Sequence, residues 1–201
     1  MNPLLLDLPE TLKSERLSIR RYIPGDGAWL HKVLLDNVDH LALAIRGGKE
    51  GFGFDVTTPE GAESFVRQLH ADGAARRRWV CGTWEKATGD YVGDLWIEFK
   101  DWDASMHEIG YFVVEKKLGQ GYATEATMAG LEFLFEVLDT RKVVLSCDES
   151  NTPSYRVAER CGFVREGCLR AHSRLSDGTW DGQLHYGMLR EEYEQFKKTR
   201  K

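Results

Sequence analysis

Between His107 and Cys147 the hydrophobic period of the chain changes twice, and few folds accept the result. HEIGYFVVE (His107–Glu115) alternates like a half-buried strand. A run of small and apolar residues then recurs at positions 123, 126, 127, 131, 134, 135 and 138, the spacing of one helix face. KVVLSC follows as a short continuous apolar stretch, as in a strand buried on both faces. Strand, helix and strand in succession imply a parallel crossover. Upstream, RRWVCGTWE and YVGDLWIEF flank a KATGD turn and read as an antiparallel hairpin. Antiparallel hairpins joined to a parallel crossover give the α+β class with a central mixed sheet.

The remaining punctuation fills in the order. RLSIRRY (Arg16–Tyr22) is strand-like, with Leu17 and Ile19 on one face, and PGDG leads into a helix around Trp29, Leu30, Val33 and Leu34. A glycine-rich loop follows near Gly47–Gly53. TTPE starts a second helix, capped by Thr57 or Thr58 with Pro59 in the first turn and Phe65, Val66 and Leu69 as its buried stripe. A later helix, Ser154–Cys161, ends at Gly162, and two last strands flank a turn at Asp177–Gly178. The expected order is β-α-α-β-β-β-α-β-α-β-β, a single domain over 1–201 without internal repeat or linker.

A net charge of −5 argues against nucleic acid as a partner, because such domains carry a clustered basic excess. Arg76, Arg77 and Arg78 read as a solvated strand edge. Cys81, Cys147, Cys161 and Cys168 form no C-x-x-C pair, which points to reduced thiols and a cytoplasmic protein. No run approaches the ~20 apolar residues of a membrane span, and MNPLLLDLPE lacks the basic lead of a signal peptide. The six histidines have no metal-ligand spacing, so no metal is expected. The tryptophans read mainly as core or hairpin residues, with Trp96 and Trp102 as candidates to border a groove.

The strip KKLGQGYATEA (Lys116–Ala126) sits where the crossover helix begins. Unpaired N–H groups at a helix start attract anions, and glycines let a phosphate approach the backbone. A tight turn alone would also explain Gly119 and Gly121. The strip lacks the third glycine or alanine of a dinucleotide fingerprint and the G-K-[ST] ending of a Walker loop.

Four stretches, ERLSIRRY, EIGYFV with LGQGYATEA, NTPSYRVAERCGFVREG and DGTWDGQLHYGMLREEY, together resemble the GNAT N-acetyltransferases and within them the RimJ/RimL-type ribosomal-protein alanine acetyltransferases. The resemblance implies a GNAT-like, mostly antiparallel seven-stranded sheet with helices on both faces, and acetyl-CoA as cosubstrate. It matches Gly119, Gln120, Gly121, Tyr122, Ala123 and Thr124 to the pyrophosphate loop, with Leu118 where the family usually has Gln or Arg. Lys116, Lys117 or Arg156 are candidates to meet the phosphates in its place. Val113 and Val114 would contact the cofactor from the preceding strand, the backbone near Phe112 to Val114 would hold the oxyanion, and Asn151 would reach the pantetheine arm.

Acetyl transfer to an amine needs a proton acceptor and a donor for the departing thiolate. The resemblance assigns Glu108 to the first role and Ser154 to the second, with Tyr155 as a substitute donor where many relatives use a tyrosine at the position of Ala158. A paired surface carboxylate and a helix cap are the alternative readings of Glu108 and Ser154. His172 and Ser173 occupy the place of an acidic residue in RimL-like enzymes, which makes His172 a second base candidate. The implied acceptor is a peptide or protein N-terminus. The alternatives are a small amine, such as a polyamine or aminoglycoside-like compound, and a non-catalytic acyl-CoA-binding module. Homodimerisation is implied by the subfamily alone.

Overall fold

The computed structural model describes residues 2–37, 58–175 and 178–199. Eight strands form one sheet in the order β1-β2-β3-β4-β5-β6-β8-β7: β1 (Thr11–Leu12), β2 (Leu17–Arg21), β3 (Arg78–Glu85), β4 (Tyr91–Asp101), β5 (Met106–Val113), β6 (Lys142–Asp148), β7 (Val164–Arg174) and β8 (Trp180–Leu189). The helices are α1 (Gly27–Asp36), α2 (Pro59–Ala74), α3 (Tyr122–Glu132), α4 (Thr152–Arg160) and α5 (Arg190–Thr199). The expected α+β class and element order hold, with two additions. The eighth strand is the two-residue β1, too short to carry a period, which pairs Thr11 with Arg20 on β2. The second is α5, whose REEYEQFKKT buries Tyr193. The glycine-rich loop near Gly47–Gly53 and residue Asp177 of the final turn lie outside the described residues.

The chain forms two compact units, 1–96 with 111–122, and 97–110 with 123–201. In the first, α1 and α2 supply Leu30, Leu34, Val66 and Leu69 to a buried cluster with Tyr22, against which Trp29, Phe65, Val80 and Phe112 pack. Fully burying each aliphatic side chain contributes about 1.5–3 kcal/mol. Thr58 is the cap of α2, its hydroxyl accepting the Gly61 N–H at 3.1 Å, with Pro59 in the first turn. At the far end Arg76 donates to the carbonyls of Gly73, Ala74 and Leu6, so this arginine closes a helix terminus and is not merely a solvated edge charge.

In the second unit β5 and β6 run parallel, pairing Met106 with Lys142 through Glu108 with Val144, as the crossover requires. Strand β6 then pairs antiparallel with β8, and β8 with β7. Burial along β6 alternates, with Val143, Leu145 and Cys147 inside and Val144 and Ser146 partly exposed, so only one face is fully buried. Helix α3 ends in a π-helical turn, Phe133–Val137. Gly162 closes α4 at φ 87°, where a Cβ would also strike the Phe196 ring. All four cysteines are free.

Candidate active site

Strand β5 hands over to the glycine strip through a single turn, Glu115–Lys117. Val114 opens it, donating its N–H to the Val92 carbonyl and accepting from the Lys117 N–H, each at 2.9 Å. The Val114 amide is therefore already engaged. Gly119 and Gly121 follow with φ of 73° and 81°, a left-handed backbone that side chains disfavour. A Cβ on Gly119 would meet no atom within 4 Å. The glycine is thus required by conformation, and open space lies beside it.

Side chains from distant parts of the first unit fasten this loop. The Tyr122 hydroxyl donates to Glu85 Oε1 at 2.5 Å, and the Lys117 ammonium donates to Glu85 Oε2 at 2.7 Å and Asp90 Oδ2 at 3.1 Å. Lys117, then Tyr122, lower the Glu85 pKa to about 2, so the anchor stays charged. Arg16 donates to the Gln120 carbonyl at 3.1 Å and lies over the Tyr122 ring at 4.5 Å. Lys117, a candidate for the phosphates, is held by two carboxylates. Arg16, Glu85 and Asp90 were not singled out from the sequence, because their partners lie tens of residues away.

Val113 and Lys116 also belong to the first unit, whereas Ala123, Thr124, Glu108, Asn151 and Ser154 belong to the second. Ala123 and Thr124 lie in the first turn of α3, with the Ala123 carbonyl accepting from Thr127 at 2.7 Å. Glu108, the last β5 residue paired with β6, accepts from Ser146 at 3.1 Å and forms an ion pair with Lys100 at 3.0 Å. Lys100 also reaches Glu98 at 2.8 Å, and both hydrogen bonds raise its pKa. Asn151 caps α4 by accepting the Ser154 N–H at 3.2 Å. The capping reading of Ser154 is thereby corrected: the serine lies inside the first turn, and its hydroxyl hydrogen-bonds the Cys147 thiol, opposing the upward shift that burial imposes there. Glu108 and Ser154 thus have separate partners. Ser173 donates to Asp148 at 2.8 Å, and His172 is exposed on β7.

Comparison with known proteins fixes the lineage. The family model described as an acetyltransferase (GNAT) domain matches residues 16–164. The uncharacterised N-acetyltransferase YnaD of Bacillus subtilis is 29% identical over 138 residues, 69% of this chain and 78% of that protein. The ribosomal-protein-serine acetyltransferase of Escherichia coli is 36% identical over 78 residues, 39% of this chain and 44% of that one. Among solved structures, RimL, a ribosomal L7/L12 alpha-N-protein acetyltransferase in complex with coenzyme A, superposes with a TM-score of 0.80 at 21% identity, covering 90% of this chain and 98% of that one.

Proposed function

The chain belongs to the GNAT acetyltransferase family, whose members move an acetyl group from acetyl-CoA to nitrogen, and on that premise we propose that its acceptor is the terminal amine of a protein or peptide. The observation carrying the cofactor reading is the braced loop from Gly119 to Tyr122, where two left-handed glycines open onto the start of α3. Backbone N–H groups there suit a diphosphate. In the first unit Gly119, Gln120, Gly121 and Tyr122 form this cradle, with Val113 on the approaching strand; in the second, Ala123 and Thr124 continue the chain into α3 and Asn151 is our choice for the pantetheine arm. Val114 contributes by fixing the turn. The family match spans parts of both units, which supports one catalytic domain.

Ser154 is our choice for the thiolate. Its hydroxyl already hydrogen-bonds a thiol sulfur, that of Cys147, and is not occupied in capping its helix. Glu108 supplies negative charge that steers a cationic amine, but Lys100 and Ser146 engage both its oxygens. The likeness to ribosomal-protein acetyltransferases favours an N-terminal acceptor. Coenzyme A release measured across peptides with different first residues and across small polyamines tests this. Turnover on peptides is expected, and turnover confined to polyamines overturns it.

A further inference from the structure

Five side chains in the first unit gather beside the strand segment that the acetyl-transfer reading reserves for the oxyanion. Tyr22 follows β2, Trp29 lies on α1, Trp84 on β3, and Tyr91 and Asp94 on β4. Their rings are in mutual contact: Tyr22 with Trp29 at 5.9 Å, Trp29 with Trp84 at 5.4 Å, Trp29 with Tyr91 at 5.3 Å and Trp84 with Tyr91 at 5.8 Å between centroids. The Tyr22 hydroxyl donates to Asp94 Oδ1 at 2.5 Å and lies 3.2 Å from the Tyr91 hydroxyl. Among the described residues no lysine or arginine forms an ion pair with Asp94, although its side chain is partly buried and held among these rings. A carboxylate in such a place is costly without a countercharge. Tyrosine and tryptophan faces favour a cation, which would supply it.

The position along β4 gives this carboxylate a task. Gly93, its neighbour, is pressed so closely on β5 that a Cβ would collide with the Phe112 carbonyl oxygen and crowd Val113 Cα. We propose that Asp94, with Tyr22, Trp29, Trp84 and Tyr91 around it, receives the acceptor's ammonium group and takes its proton. This rests on the acetyl-transfer reading and names the acceptor feature recognised, a primary ammonium. One ammonium proton passes to the Asp94 carboxylate, and the freed lone pair attacks the thioester carbonyl. The C–N bond forms, the C–S bond breaks, and the departing thiolate takes the second proton that nitrogen sheds. Asp94 returns its proton to solvent when product leaves.

Burial pushes the Asp94 pKa up to about 6, against the opposing hydrogen bonds of Tyr22 and Tyr91, so the group is mostly charged at neutral pH yet basic for a carboxylate. The neighbouring groups leave that titration distinct. On β2, Arg20 is held by Asp26 of the α1 cap at 2.7 Å while stacking on Trp84, and Arg21 adjoins it. On β3, burial raises the Cys81 thiol far above neutrality. Burial likewise raises Tyr22 and Tyr91. The adjoining β5 residues, Phe112 and Val113, do not titrate.

Hexylammonium and its neutral isostere hexanol, titrated against the full chain while the indole N–H resonances of Trp29 and Trp84 are followed, test this. Hexylammonium keeps its charge from pH 4 to 9, so saturable shifts that grow with a midpoint near pH 6 are expected. Hexanol should leave them in place. Asp94→Asn should weaken the response at least tenfold, whereas Asp36→Asn, which removes an exposed carboxylate of α1, should preserve both affinity and midpoint. Wild-type insensitivity to hexylammonium, equal response to hexanol, or undiminished binding by Asp94→Asn overturns the proposal. Coenzyme A is added in parallel in a thermal melt. Stabilisation of wild type and Asp94→Asn alike shows the variant folded, and absence of stabilisation in wild type overturns the acetyl-transfer reading separately from the ammonium result.

Discussion

At the scale of single residues, Ser154 and Gly93 make opposite demands. Ser154→Ala removes a donor from a first turn that Asn151 caps, so the helix keeps its start. Turnover should fall roughly tenfold or more with coenzyme A affinity unchanged, the pattern of an interaction made only as the thiolate departs. Equal losses in affinity and turnover would refute that assignment. Gly93→Ala places a methyl group against the Phe112 carbonyl and should destabilise the protein by about 3 kcal/mol or more, visible in urea unfolding. The sequence showed Gly93 only as one residue of a strand. Its necessity comes from a carbonyl on β5.

At the scale of elements, the cofactor loop depends on its ties to the β3–β4 hairpin. Glu85→Gln keeps the shape but loses the charge that holds Lys117 and receives the Tyr122 hydroxyl. Coenzyme A binding, measured calorimetrically, should weaken roughly tenfold, in line with the loss of a charged hydrogen bond. Unchanged affinity would mean that Arg16 and Asp90 suffice to fix the loop. Local patterns made the crossover, the hairpin, the Thr58 cap and the glycine strip readable, since each is written in adjacent residues or a short period. The two-residue β1 was not readable, because its identity as a strand is conferred by Arg20 and Ile19 opposite. Nor were the clamps by Arg16, Glu85 and Lys100. Each joins residues that pattern reading treats as separate surface charges. Asn151 and Ser154 stand out in the sequence as capping residues, but only the fold shows that Asn151 is the one that caps α4.

At the scale of the whole molecule, two carboxylates give stability opposing pH trends. Glu85, held down to about 2, contributes stability that is complete above about pH 4.5 and is lost as pH falls toward 2. Asp94 has its folded pKa raised to about 6, so the native state binds more protons than the unfolded chain between about 4 and 6, and its contribution declines as pH rises through that window. The melting temperature of Asp94→Asn relative to wild type should therefore climb from pH 4 to pH 7, by an amount corresponding to roughly 1–3 kcal/mol. A flat difference would show that Asp94 titrates normally.

The ties of Arg16, Glu85 and Asp90 to the glycine strip bear also on how quickly a cofactor is captured. A cradle shaped before its guest arrives has little chain disorder to surrender at the encounter. Capture should then proceed in one kinetic phase whose rate rises linearly with coenzyme concentration, while severing Glu85 should introduce a slower, concentration-independent tightening step.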